Sequence, residues 1–337
     1  MYRIMVWGMG AMGSGIVKNI LQKRELELVG VIETFRKDLE GKSLKSFGIE
    51  SDIQISSDPQ KAISEFDPDL IVIATASFVP VVFPMIKLAV ENSVNVITLA
   101  EEMAYPWIDY PELSHRMDSL AKKHNVSILG TGINPGFVLD TLILSLTGVC
   151  LDVKKIKAQR INDLSPFGNE VMRTQGVGTS VEEFYDGIKN GKIVGHIGFR
   201  QSIYMIGDAL GWKVEKIEEE REPIVSKVYR ETPYVKVKPG YVAGCKHIGR
   251  GFVNGEVKIE LVHPQQIHPE LEEVKTGDFI QIEGDPNISL EIKPEIPGGK
   301  GTIAMATNMI PKVIESRPGL MTMKDMRIPY GMINELR

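Results

Sequence analysis

The chain has 337 residues, of which 43% are hydrophobic, and it carries a formal net charge of −5 at pH 7. This length is enough for two domains with separate hydrophobic cores. The acidic and basic residues are interspersed, which excludes a basic stripe for nucleic acid and a polybasic membrane anchor. No apolar run reaches the ~20 residues that a transmembrane helix needs. We therefore expect a small-molecule ligand, and neither nucleic acid nor a membrane as a partner.

The first predicted element is a strand that runs into a glycine motif. The apolar stretch 2–7 is followed at once by Gly8-Met9-Gly10-Ala11-Met12-Gly13, and apolar residues then recur at helical spacing. Gly8 permits a tight strand-to-helix turn, Gly10 lets the backbone approach a pyrophosphate, and Gly13 lets the helix pack on its strand. The N–H groups at the helix start, around Ala11 and Met12, are expected to bind that pyrophosphate. The motif predicts a dinucleotide site.

The second strand, 26–32, ends at an acidic residue. Glu33 follows the first glycine at close to the ~20 residues expected for the carboxylate that holds the adenosine ribose of NAD. Arg36 and Lys37 come just after it and could face the 2′-phosphate of NADP, or they could lie in a solvated loop. NAD, NADP or both are therefore predicted as cofactors.

The rest of the first 148 residues alternates strands with helices. Further strands are predicted at 69–75, 94–99 and 126–129, and helices at 79–92 and 110–124. Near-continuous aliphatic runs are typical of parallel strands buried on both faces. We predict an α/β fold in which residues 1–148 form a doubly wound Rossmann domain, with Thr75 and Ala76 at a strand end near the cofactor.

The pattern changes near Val153. A Gly-rich loop and short helical segments precede a long β-like stretch, 234–292, in which Asn254-Gly255 predicts a type I′ hairpin turn. Residues 149–300 are predicted to form an α+β substrate and dimerisation domain with a largely antiparallel sheet. A final helical segment within 301–337 is predicted to return to the first domain.

Two strand ends carry the candidate chemistry of the first domain. Glu101 and Glu102 follow strand 94–99, where a carboxylate in an apolar loop can exchange protons near neutral pH or can cap the following helix. The sequence does not decide which of the two is catalytic. After strand 126–129, the turn with Asn134 and Pro135 could hold the nicotinamide amide or a substrate anion, or could serve only as a turn.

The second domain offers candidate substrate ligands. Arg160, Arg173 or Arg200 could clamp a carboxylate bidentately, and each could instead form a structural salt bridge. Asn162 adds an amide beside the first of them. His196 could line the substrate cleft or could be a core histidine.

Cysteine and histidine spacing indicates the compartment and argues against a metal. Cys150 and Cys245 have no CxxC spacing, which agrees with a reducing, cytoplasmic location. His263 and His268 are close together, but the prolines in their run indicate a loop, and no third ligand type lies nearby. No metal site is predicted.

The chain as a whole resembles the 2,4-diaminopentanoate dehydrogenase family, which is related to dihydrodipicolinate reductase and includes NAD(P)-dependent amine dehydrogenases. The resemblance spans nearly the full length and is carried by residues 8–13, 100–102, 130–137, 195–199, 208–212, 308–311 and 317–320. The last element, which ends in Met323-Lys324-Asp325-Met326, also resembles the C-terminal helix of the reductases. The paired histidines of those reductases have no counterpart in residues 160–169, so dihydrodipicolinate reduction is not predicted.

The resemblance implies an activity. It implies NAD(P)-dependent oxidative deamination of 2,4-diaminopentanoate to 2-amino-4-oxopentanoate and ammonia, within ornithine catabolism, by a homodimer. One alternative is an amine dehydrogenase for simple amines and ketones. The alternative of another class is a nucleotide-binding regulatory protein without turnover.

Overall fold

The computed structural model describes residues 1–334, which fold as two compact units. The first unit comprises Met1–Phe137 and the C-terminal segment that begins at Gly298, and the second comprises Val138–Pro297. Among residues 1–334, no helix is both long and apolar enough to cross a membrane.

The strands are, in chain order, β1 (Tyr2–Trp7), β2 (Leu26–Ile32), β3 (Ile55–Ser56), β4 (Leu70–Ile73), β5 (Asn95–Thr98), β6 (Ser127–Gly130), β7 (Asp152–Asp163), β8 (Lys216–Val225), β9 (Arg230–Glu231), β10 (Lys236–Val237), β11 (Val242–Val253), β12 (Glu256–Gln266), β13 (Gly277–Asp285), β14 (Ile288–Ile292) and β15 (Gly319–Met321).

The helices are α1 (Ala11–Ile20), α2 (Pro59–Phe66), α3 (Val79–Glu91), α4 (Pro111–Lys123), α5 (Thr141–Thr147), α6 (Asn169–Thr174), α7 (Val181–Lys189), α8 (Phe199–Leu210), α9 (Gly298–Asn308) and α10 (Ile310–Ile314).

Within the described residues, the first unit contains a sheet of seven strands in the order β15-β6-β5-β4-β1-β2-β3, and all its pairs are parallel. The order 3-2-1-4-5-6 within it is that of dinucleotide-binding folds. Helices α3 and α4 pack with the apolar residues of one face, including Met5, Ile71 and Ile73. The predicted Rossmann domain is confirmed.

The C-terminal segment completes this first unit. Helix α9 packs against α1, α10 packs against β5 and β6, and β15 adds the last strand beside β6. The last predicted element contains helices α9 and α10, but its end is not α-helical. After β15 it forms only a short 3₁₀ turn, Met323–Asp325, which is closed by a capping box between Thr322 and Asp325.

The first domain boundary differs from the one placed after residue 148. Helix α5 belongs to the second unit, where it contacts α8 and where the Asp140 carboxylate accepts a hydrogen bond from the Ser202 hydroxyl at 2.9 Å. Asp140 also caps α5, since it accepts from the Thr141 N–H. The chain therefore passes into the second unit before α5, at Val138.

The second unit contains a six-stranded sheet in the order β14-β13-β7-β12-β11-β8. Its pairs are antiparallel except β7 with β12, so the prediction of a largely antiparallel sheet is confirmed. The predicted hairpin joins β11 to β12 through Asn254 (φ 52°) and Gly255 (φ 77°). Helix α8 packs on β11 and β12.

The predicted loop around His263 is wrong, because His263 and Pro264 lie inside β12. The pairing of β12 with β7 skips from Val262 to Gln265, and this gap accommodates the missing N–H of Pro264. The edge strand β8 was also missed. Its run of glutamates hides the apolar alternation, and charged residues are common on edge strands.

Candidate active site

The glycine motif joins β1 to α1, and each glycine has a steric reason. Gly8 has φ 111°, and a Cβ there would lie 2.5 Å from the Ala74 carbonyl oxygen. A Cβ on Gly13 would lie 1.8 Å from the Gly8 carbonyl oxygen. Beside Gly10, by contrast, no described atom lies within 4 Å of an added Cβ. This open space next to the helix start is the place that a pyrophosphate needs, so the loop fits a dinucleotide.

Glu33 is fixed beside that loop. It is only 4% exposed, and its carboxylate accepts hydrogen bonds from the N–H groups of Met9 (2.9 Å), Phe35 (2.9 Å) and Arg36 (3.3 Å). Burial acts to raise the pKa of Glu33, but these donors and the Arg36 guanidinium outweigh it and lower the pKa. Arg36 itself donates to the Met9 carbonyl oxygen at 2.5 Å. The acidic residue therefore stays ionised and braces the glycine motif.

Glu102 is held by the helix that follows β4. Its carboxylate accepts from the Val79 N–H, at the start of α3, at 2.8 Å and from the Tyr110 hydroxyl at 3.1 Å. Burial, followed by the charge and hydrogen bond of Glu102, raises the pKa of Tyr110 to about 12. The Glu102 carboxylate thus caps α3 and has two fixed partners.

Glu101 has a different environment, although it is the adjacent residue in the 3₁₀ turn Glu101–Ala104 that follows β5. Burial raises its pKa, and the Glu102 charge raises it further, while hydrogen bonds from Ser77 and from its own backbone act in the opposite direction. A carboxyl group in this state can exchange a proton at a higher pH than an ordinary glutamate.

In the turn after β6, the backbone at Gly136 comes back close to that at Gly132. Gly136 has φ 125°, and a Cβ there would lie 2.4 Å from the Gly132 nitrogen. The Ile133 N–H donates to the Thr302 hydroxyl of α9 at 3.3 Å. Asn134 is half-buried and Pro135 is buried within this turn.

These segments share one edge of the sheet. The glycine motif, Glu33, Thr75 with Ala76, Glu101 and the 131–137 turn all follow the carboxyl ends of parallel strands. Ligands of open α/β sheets bind beyond these strand ends. Thr75 is half-buried, and its hydroxyl contacts the Met85 sulfur at 3.4 Å.

In the second unit, the strand register aligns a row of polar side chains across the sheet. Asp278 pairs with Arg160, His263 pairs with His247, and His247 pairs with Arg221. The β7–β12 register places His263 level with Arg160. We call these five residues the polar row. The Arg160 guanidinium is 2% exposed and binds the Asp278 carboxylate at 2.6 Å.

Asn162 and His196 lie next to the polar row. The His263 Nε2 and the Asn162 Oδ1 are 3.0 Å apart, and the His196 ring lies 4.9 Å from the His263 ring. Burial, with Arg160 in addition, lowers the pKa of His196 to about 3, and burial likewise lowers that of His263. We call Arg160, Asn162, His196 and His263 the Arg160 cluster. It combines one cation with neutral polar groups.

Comparison with known proteins identifies the family. Residues 137–337 match the 2,4-diaminopentanoate dehydrogenase C-terminal domain, and residues 2–98 match the dihydrodipicolinate reductase N-terminus. The 2,4-diaminopentanoate dehydrogenase of Acetoanaerobium sticklandii is 46% identical over 341 residues, which cover 99% of this chain and 96% of that protein. The chain belongs to the 2,4-diaminopentanoate dehydrogenase family.

Two more distant relatives of this 2,4-diaminopentanoate dehydrogenase family member are amine dehydrogenases. That of Streptomyces virginiae is 24% identical over 95% of this chain and 94% of its own. The structure of the amine dehydrogenase from Mycobacterium smegmatis is similar to this structure, with a TM-score of 0.85 and 26% sequence identity. The match covers 98% of this chain and 97% of that chain. The predicted family and its class, an oxidoreductase of the nicotinamide-dependent dehydrogenase type, are confirmed.

The structure of this family member brings only some of the predicted substrate ligands together. Arg173 is half-exposed and pairs with Glu170 on the same helix, and Arg200 lies over the Tyr204 ring at 5.8 Å. The Arg173 guanidinium is thus paired on its own helix, outside the Arg160 cluster. His263 was missed, although its alternation with Leu261 and Gln265 on one face of β12 is a signal that the sequence does contain.

Proposed function

We propose that the protein catalyses NAD(P)⁺-dependent oxidative deamination of 2,4-diaminopentanoate at C4, which yields 2-amino-4-oxopentanoate and ammonia. The observation that carries the proposal is the contrast between the two glutamates at the end of β5. Glu102 is bound by Val79 and Tyr110, whereas burial raises the pKa of Glu101. The 46% identity to a 2,4-diaminopentanoate dehydrogenase supports the substrate.

Glu101 is the proposed general base. The substrate amine must be neutral before its carbon can lose a hydride, so the Glu101 carboxylate accepts a proton from the ammonium. The nicotinamide cofactor, when bound, accepts the hydride. Glu101 passes this proton to solvent, and its carboxylate, ionised again, stabilises the cationic iminium and removes a proton from the water that attacks it. Glu101 then returns a proton to the carbinolamine nitrogen, and the C–N bond breaks as the hydroxyl loses its proton to the carboxylate, which releases ammonia and the ketone.

The Arg160 cluster is the proposed site for the substrate carboxylate. Arg160 retains N–H donors beyond those used by Asp278 and the Ile296 carbonyl oxygen. The contact of His263 with the Asn162 oxygen leaves the amide N–H groups of Asn162 as donors for a ligand. A buried cation with adjacent neutral donors is the arrangement that binds a carboxylate strongly.

Dual cofactor use is proposed from the residues around Glu33. The ionised Glu33 favours NAD, because it would repel a 2′-phosphate. Arg36 is half-exposed beside it and offers a compensating positive charge for NADP. We propose NAD as the better cofactor, with NADP accepted.

Assembly and compartment are proposed from the family and the cysteines. We propose a homodimer that works in a reducing, cytoplasmic setting, since Cys150 and Cys245 are both free thiols in the structure. Light scattering of the purified protein should give the mass of two chains. A mass of one chain would refute the dimer.

The deciding experiment is reduction of NAD⁺ and NADP⁺ with 2,4-diaminopentanoate, with ornithine, lysine and 2-aminoalkanes as controls. We expect fast turnover with the diamino acid and little with the amines that lack a carboxylate. Turnover of 2-aminoalkanes alone would support the amine dehydrogenase function that the Mycobacterium smegmatis structure suggests. Binding of cofactor without any turnover would support a regulatory protein.

A further inference from the structure

The loop that carries His196 is held at three consecutive residues by side chains from outside it. The Arg221 Nε donates to the Val194 carbonyl oxygen at 2.6 Å, and the Gln175 Nε2 donates to the Gly195 carbonyl oxygen at 2.8 Å. The His196 N–H donates to the Nδ1 of His247 at 3.0 Å. We call residues 194–198 the His196 loop.

The approach of His247 to this loop is too close for a side chain on Gly195. Gly195 has φ 71°, and a Cβ there would lie 2.9 Å from the His247 Nδ1 and 3.2 Å from the Arg221 Nε. Gly195 therefore permits the close contact between His247 and the His196 loop, both through its positive φ and through its lack of a side chain.

His247 is a permanent acceptor in this contact. It lies in the middle of β11, is 0% exposed and has its ring 4.8 Å from that of Phe199. Because Nδ1 accepts, the ring proton is on Nε2, which lies 3.6 Å from the Glu219 carboxylate. Burial and the nearby Arg221 lower the pKa of His247 to about 2, so the ring is neutral near neutral pH.

The contact connects His247 to the Arg160 cluster. His247 is the cross-strand partner of His263, and the His196 ring packs against both Phe199 and His263 at 4.9 Å. A shift of the His196 main chain would therefore move the His196 ring relative to His263 and Asn162.

We propose that His247 is a positioning residue, which fixes the His196 loop through its Nδ1 and thereby sets the geometry of the carboxylate site. The inference rests on the proposed function of the Arg160 cluster. His247 itself has no proposed contact with the substrate or with the cofactor.

The test compares substitutions that keep or remove an acceptor at the Nδ1 position. In His247→Asn the amide oxygen replaces Nδ1, in His247→Gln it lies one bond further out, and His247→Leu has no acceptor. We expect the KM for 2,4-diaminopentanoate to rise about tenfold in His247→Leu and in His247→Gln, which is the size of one hydrogen bond. It should stay within about twofold of the wild-type value in His247→Asn, with kcat little changed in all three.

A double-mutant cycle separates this inference from the proposed function. His196→Ala should raise the KM, and adding His247→Leu should raise it little further, since the loop no longer carries the ring. If His196→Ala leaves the KM unchanged, the proposed role of the cluster fails. If His196→Ala raises the KM but His247→Leu and His247→Gln do not, only the positioning role fails.

Thermal melting provides the remaining control. A role confined to folding would lower the melting temperature of the variants without changing the KM of the folded fraction, and would overturn the proposal. Equal KM values in His247→Asn and His247→Gln would also overturn it, because they would show that the position of the acceptor is irrelevant. That comparison remains decisive even if His247→Leu does not fold.

Discussion

Glu101 and Glu102 are neighbours in the chain, but different contacts give them different chemical properties. Glu102 binds the start of α3 and the Tyr110 hydroxyl, whereas burial raises the pKa of Glu101. The sequence placed both residues at the strand end but could not separate them. The difference between the two glutamates depends on Val79 and Tyr110. These two residues are far apart in the sequence, and both contact the Glu102 carboxylate in the folded chain.

Neutral amide substitutions should distinguish these two roles. Glu101→Gln should lower kcat by at least about a hundredfold with little change in melting temperature, because a general base is lost. Glu102→Gln should retain most of the activity and should destabilise the fold by about 1 kcal/mol, because a helix cap is weakened. Steady-state kinetics and thermal unfolding measure both. A greater loss of kcat in Glu102→Gln would reverse the assignment.

The raised pKa of Glu101 predicts an acidic limb in the rate profile. The base must be ionised, so kcat/KM should fall as the pH decreases through this pKa, at a higher pH than the value of about 4.3 for an ordinary glutamate. In Glu102→Gln the neighbouring negative charge is gone, which should lower the pKa of Glu101 and move the limb to lower pH. An unchanged limb in Glu102→Gln would contradict this prediction. His196, with a pKa of about 3, cannot account for a limb that lies above the pKa of an ordinary glutamate.

At the scale of elements, the strands with the strongest sequence signals were predicted and the ambiguous ones were not. The aliphatic run of β2 gave its observed bounds, Leu26–Ile32, and helices α3 and α4 differ from their predicted ranges only at the ends. Strand β8 was missed because its pairing with β11, and not its composition, makes it a strand. Pro264 concealed only the last part of β12, because the gap in the ladder that tolerates this proline is set by the pairing with β7.

The same contrast between local sequence signals and features of the fold applies to the candidate site. The cofactor residues predicted in the glycine motif are close together in the sequence, so spacing alone was enough to propose them. The Arg160 cluster is assembled from three segments, since Arg160 and Asn162 lie in β7, His263 in β12 and His196 in a loop. Nothing in the sequence distinguished Arg160 from Arg173, because burial and cross-strand register are properties of the fold.

Two glycine-to-alanine substitutions in the turn between β1 and α1 should have different effects, although each adds one methyl group. Gly13→Ala should destabilise the first unit by several kcal/mol, because the new methyl would overlap the Gly8 carbonyl oxygen. Gly10→Ala should fold normally, because its methyl enters open space, but it should bind NAD⁺ at least tenfold more weakly. Thermal unfolding and cofactor titration separate the two effects. Normal NAD⁺ affinity in Gly10→Ala would place the pyrophosphate elsewhere.

At the scale of the whole molecule, the first unit is discontinuous in sequence and the second is continuous. Ile310 and Val313 of α10 are fully buried in the first unit, and β15 pairs with β6. A chain that ends at Pro297 should therefore lose the folding transition of the first unit, because its core is left uncovered. The isolated residues 138–297, as the control, should still unfold cooperatively. Calorimetry of the full chain, of residues 1–297 and of residues 138–297 measures these transitions. If residues 1–297 still show the unfolding transition of the first unit, the prediction is wrong.

The way in which β15, α9 and α10 complete the first unit also has a consequence for synthesis. Translation proceeds from the N-terminus, so the glycine motif leaves the ribosome early, whereas the helix that packs against α1 leaves after the whole second unit. The domain that is made first is therefore the one that is finished last. Until then, the nascent chain exposes the apolar surface that α10 later covers, and it is in this interval that a chaperone would be needed most.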